Sequence, residues 1–190
     1  MLPDDGYTLL HEVRLRGLVT VDDSPTVELL ISEGLVARAR ASIRLTSDGR
    51  AAHAVWARVP AGSELESTVA RGYERFLPLN VEFLRVCHDW QVRPGEIPND
   101  HRDAPYDWAV LDRLRTVDER TAPVVRRVGR DIARFDGYAR RLRSALTRVD
   151  AGEQEWFTSP RIDSYHTVWM QLHEDLLLAL GRAREDEPEP

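Results

Sequence analysis

Past the breaker-rich stretch Pro60-Ala61-Gly62-Ser63, apolar residues recur at helical spacing almost to the end of the chain. This pattern restricts the larger part of the molecule to packed helices. Leu65, Val69, Tyr73, Phe76, Phe83, Leu84, Cys87 and Trp90 form one stripe, which Pro78 interrupts, so a kink or two abutting helices are expected there. Arg93–Pro105 carries three prolines, a glycine and an asparagine and reads as an ordered loop. A helix is expected over 106–117 and continues over 118–135, with Trp108, Leu111 and Leu114 facing inward in its first part. Further helices are expected over 138–149 and 165–184, separated by a short aromatic segment at 153–157. The acidic, proline-rich tail 185–190 reads as disordered.

The first 60 residues follow a different pattern. A helix over 7–18 ends at Gly17, and 20–25 reads as a break. Ser24 and Pro25 then suit the cap and first turn of a second helix over 26–33, which Gly34 stops. Two short strands, 35–40 and 42–45, precede a third helix over 49–58. The expected fold class is mainly α: a small α+β winged-helix-like module (1–60), an all-α bundle (61–184) and the tail.

The segments Ile31-Ser32-Glu33-Gly34-Leu35-Val36 and Leu45-Thr46-Ser47-Asp48-Gly49-Arg50 carry a resemblance. The first resembles the end of a recognition helix entering a strand. The second resembles the turn that closes the wing in MarR- and PadR-type regulators. Trp90-Gln91 and the stretch from Asp163 to Asp175 are also similar to actinobacterial proteins that join a winged-helix-like start to a helical half and are labelled as regulators. The resemblance implies a transcriptional regulator with DNA and a second copy of the chain as partners, and the single cysteine fits the expected cytoplasmic location. The resemblance places Arg38, Arg40, Arg44 and Arg50 at phosphates or in a minor groove. Residues 38–50 carry these four arginines and Asp48, a net charge of 4 − 1 = +3.

The stretch between Gly17 and Ser24 is too short for the scaffold helix of a full helix-turn-helix. Asp22, Asp23, Glu28 and Glu33 also surround the candidate recognition helix with negative charge. A module that docks a partner enzyme instead of DNA is the alternative.

In the helical half, His166 and His173 are two turns apart on one helix face, and Asp163 or Glu174 could complete a metal site. Partly buried, hydrogen-bonded histidines are the favoured reading. Trp90, Arg161, Tyr165 and Trp169 are candidates for a small-ligand site, with the arginine as anion anchor, and a packed aromatic core is the favoured alternative. Cys87-His88-Asp89 cannot pair a thiol with an adjacent base on one helix, so Cys87 is expected in the core. No nucleophile–base pair, phosphate loop or paired carboxylates occur at supporting spacing, so no enzyme is expected and no cofactor is named.

All 26 basic residues are arginine, and the net charge of −6 is uneven. Residues 111–150 hold 11 Arg and 6 acids, a net +5, while 151–190 hold 3 Arg and 9 acids, a net −6. Mutual neutralisation of the two blocks is the favoured reading. Nucleic acid or an acidic partner are the other readings. The single cysteine excludes an internal disulfide, and no apolar run approaches the length of a membrane span.

Overall fold

The computed structural model describes residues 2–184, so the expectation for the tail lies outside the described residues. The protein is mainly α, with a small α+β module and a set of packed helices. The chain forms two compact units. One comprises the chain up to Ala61 together with the segment beginning at His173, and the other is Gly62–Leu172.

In the first unit, α1 (Asp4–Arg16) ends at Gly17, whose φ of 77° suits glycine. Within the expected break lies a strand, β1 (Val19–Thr20). No helix intervenes before α2 (Pro25–Ser32). Ser24 caps α2, its hydroxyl accepting from the Val27 amide at 3.3 Å. Strands β2 (Val36–Ala39) and β3 (Ser42–Leu45) follow, and the antiparallel sheet has the order β1-β3-β2. Ile43 pairs with both Val19 and Arg38. Alternation along β3 buries Ile43 and Leu45 and exposes Arg44. Leu10, Val13, Val27 and Leu30 from the helices close on Val19, Val36, Ile43 and Leu45 from the sheet. Helix α3 (Ser47–Ala57) completes the module, starting two residues earlier than its periodicity predicts because Thr46 caps it.

The segment from His173 seals this unit. The Val59 amide donates to the Ala179 carbonyl at 3.0 Å, and Arg14 meets Glu174 at 2.5 Å.

In the second unit, α4 (Glu64–Gln91) and α5 (Ala104–Asp131) are each single helices of 28 residues. Two abutting helices at Pro78 are corrected to one, and the helix read from 106 continues through 117/118 as expected. A helix-interior proline costs about 3 kcal/mol. The buried stripe running past Pro78 (Tyr73, Phe76, Leu79, Phe83) contributes about 1.5–3 kcal/mol per large side chain and outweighs it. Pro78 and Pro123 both lie on exposed faces.

The expected 93–105 loop contains a hairpin of β4 (Val92–Arg93) and β5 (Ile97–Pro98). Trp108 does not face inward; it is 64% exposed. Asp107 takes the inward position, because its carboxylate accepts from Asn99 Nδ2 at 2.8 Å and contacts His101 Nδ1 at 3.1 Å. The adjacent residue on a helix then points away. Helix α6 (Tyr138–Asp150) and the short α7 (Glu155–Thr158) follow. Helix α8 (Tyr165–Leu180) is divided between the units at Leu172/His173. Among the described residues, no helix is long and apolar enough to cross a membrane.

Candidate nucleic-acid interface

The turn Leu45–Arg50 anchors the ribbon, and each of its distinctive residues has a physical task. The Leu45 side chain is core. The Thr46 hydroxyl accepts from the Gly49 amide at 3.0 Å and donates to the Gly34 carbonyl at 2.7 Å. The Thr46 amide donates to the Leu35 carbonyl at 3.1 Å. Gly49 lies so close to Leu35 that a Cβ would stand 1.9 Å from its carbonyl oxygen. Arg50 Nη1 donates to the Leu45 carbonyl at 3.3 Å. One threonine thus ties the end of the ribbon to the strand entry after α2, and the glycine permits the approach.

The four predicted arginines separate into two groups. Arg38 is held by Asp23 at 2.5 Å and Glu28 at 2.7 Å, and these hydrogen bonds, Glu28 first, raise its pKa above the usual arginine value. Its charge is already answered. Arg40, at a φ of 60°, sits at the ribbon tip and is exposed. Arg44 and Arg50 come together with Arg14, Val13, Gly17 and Leu45 around a hollow of about 240 Å³. Among the described residues, Arg40, Arg44 and Arg50 make no ion pair with a carboxylate. Arg14 was not singled out by sequence, because only the fold brings α1 beside β3.

The predicted ligand residues lie in or beside the aromatic core of the second unit. Trp169 is fully buried, with ring centroids 4.4 Å from Phe83 and 4.9 Å from Phe76. Its indole N–H donates to Asn80 Oδ1 at 2.8 Å. Tyr165 is also fully buried, and its hydroxyl donates to Asp118 Oδ1 at 3.3 Å. Trp90 packs on His101 and Phe157, with centroids at 4.3 and 5.1 Å. Arg161 is exposed. Cys87 is buried, as its stripe position predicts, and burial pushes its thiol up to about 12.

Burial also raises the Asp118 carboxyl above the ordinary carboxylate range, while Arg143, 2.6 Å away, pulls it back. The folded chain therefore holds this proton to higher pH than the unfolded chain does. Stability from this group is fully present below the unfolded value and is lost as pH rises through the folded one. Asp118→Asn is expected to flatten that fall, read by urea unfolding at steps from about pH 4 upward. An unchanged slope would contradict the assignment.

His173 is buried, and His166 stands with its ring centroid 6.0 Å from that of Phe83. The carboxylates considered for a metal site are engaged elsewhere: Asp163 meets Arg141 at 3.1 Å, and Glu174 meets Arg14 and Arg184. Among the described residues, no group of three His, Cys, Asp or Glu side chains could hold a metal ion. A chain that sequence reading missed lies in the first unit. His53 Nε2 and His11 Nδ1 are 3.0 Å apart, and His11 Nε2 meets the fully buried Asp175 at 3.2 Å. No local spacing signals three residues so far apart in the chain.

Compared with known proteins, the chain matches no family model, no curated protein and no solved structure.

Proposed function

We propose that the chain is a cytoplasmic regulator-like protein, not an enzyme. In this reading the N-terminal module contacts nucleic-acid phosphates, and the helical unit senses a ligand or pairs with a second copy. The observation that carries the reading is the hollow lined by Arg44 and Arg50, neither paired with a carboxylate, beside Arg14, which Glu174 holds, with Arg40 free of carboxylates at the ribbon tip. Arginine forks placed on a rigid sheet and helix suit phosphate oxygens. A second reading, docking of a partner protein, is favoured by Asp23 and Glu28. These acids hold Arg38 at the face of α2 that a recognition helix would turn toward phosphates.

Fluorescence anisotropy with a labelled duplex, titrated across salt, tests the first reading. Arg44→Ala with Arg50→Ala is expected to weaken binding about tenfold or more and to lower the salt slope by about 2. Arg38→Ala is expected to leave binding near the parent's. Equal binding by the double variant overturns the phosphate role. A parent that shows no salt-dependent retention of duplex, but co-purifies with a stoichiometric protein, supports the docking reading in its place.

A further inference from the structure

Two sets of arginines in the helical unit contrast. Arg113, Arg115, Arg120, Arg141, Arg143 and Arg148 each meet a carboxylate: Asp89, Asp150, Glu82, Asp163, Asp118 and Glu153 respectively. Of these six, Arg141 and Arg148 pair with acids of the last segment, and the other four pair with acids of α4, α5 and α6.

The second set has no such partners. Arg71 and Arg75 on α4 face Arg126, Arg127 and Arg130 on α5 across a cleft of about 440 Å³, and no acid lines it. Among the described residues, none of these five guanidinium groups makes an ion pair, and the one polar side-chain contact within the set is Arg71 to the Thr68 hydroxyl at 3.5 Å. Glu64 and Asp131 stand at one end, where an adjoining hollow shares Arg71 and Arg127. Arg75, Arg126 and Arg130 do not line that hollow.

The fold fixes this cleft. A Cβ on Gly72 would stand 2.5 Å from Val128 Cγ2, so the two helices approach closely along its floor. Arg71 and Arg75 are one turn apart, as are Arg126 and Arg130, and like charges at this spacing repel. Many other arginines of this unit meet carboxylates; here five are gathered around one cleft on two helices with no acid in its lining.

We propose that the cleft binds a compact polyanion bearing two or more phosphoryl groups. Guanidinium forks recognise phosphate bidentately, and several acting together favour multiply charged anions over a single phosphate. The lining contains no aromatic ring, and its apolar side chains are Pro123 and Val124. A nucleobase would find no surface to stack on. The ligand is read through its phosphates, whether these form a chain or are carried on a small polyol.

The site lies in the helical unit and stands independently of nucleic-acid contact by the ribbon. Calorimetric titration of the full chain at about 0.15 M ionic strength tests it, with orthophosphate, tripolyphosphate, a sugar bisphosphate, ATP and a single-stranded oligonucleotide as probes. Tripolyphosphate is expected to bind once per chain, about 100-fold tighter than orthophosphate. ATP is expected to bind no tighter than tripolyphosphate. The relative affinity of the sugar bisphosphate distinguishes a phosphate chain from separated phosphates.

Arg126→Gln with Arg130→Gln is expected to weaken tripolyphosphate about 100-fold, while Arg113→Gln and the ribbon variant Arg44→Ala/Arg50→Ala leave it unchanged. The cleft variant is also expected to unfold at the parent's temperature or above it, because mutual repulsion is relieved. Absence of saturable 1:1 binding overturns the proposal. So does equal binding by the cleft variant, or a tighter complex with ATP or the oligonucleotide. Unfolding of the cleft variant well below the parent would contradict the claim that these charges are unanswered.

Discussion

Gly49→Ala is expected to destabilise the N-terminal module by about 3 kcal/mol or more, above the usual range for overpacking. The added methyl would meet the Leu35 carbonyl oxygen at 1.9 Å, and that oxygen is backbone that cannot swing aside. It also accepts from the Thr46 amide, so moving it breaks the tie between ribbon and strand entry. Gly34→Ala supplies the contrast. Gly34 has a φ of 70° with nothing within 4 Å of a built Cβ, so only the conformational cost of about 1–2 kcal/mol applies. Hydrogen exchange at core amides such as Leu30 and Ile43 reads both variants locally. Similar losses in the two would show that close approach is not what position 49 requires.

The larger loss is expected in the helical unit. Trp169→Ala should cost about 3–5 kcal/mol for the vacated volume. The stranded Asn80 amide adds about 1–3 kcal/mol. Trp169→Phe separates the two contributions, since it keeps most of the ring packing but removes the N–H donor. Asn80→Leu in that background is then expected to recover part of the loss, while the same change in the parent destabilises. Denaturant midpoints of the four proteins give the coupling, and purely additive effects would remove the hydrogen bond from the account.

Much of the local architecture is readable from sequence because its causes are local. Gly17, Ser24, Pro25 and Ser63 act at the helix ends that their types predict. The helical stripe of the second unit is equally direct. What is not readable depends on partners far along the chain. Pro78 looks like a break until the burial of the flanking stripe is known. Trp108 looks like core until Asn99 and His101 claim Asp107. Arg38 resembles Arg44 in composition and ribbon context, yet acids outside the ribbon occupy one and leave the other. The Arg71 and Arg75 wall of the cleft is likewise invisible beside the denser arginine block, because α4 supplies it from some fifty residues upstream.

The segment from His173 carries a consequence for synthesis. Its Ala179 carbonyl, Glu174 and Asp175 complete the first unit. Residues 62–172 are made between the two parts of that unit. The first unit therefore begins to emerge before the helical unit and is completed after it. Until the final helix emerges, His11 and Arg14 wait without their carboxylates, and the helical unit has time to form while its predecessor remains incomplete.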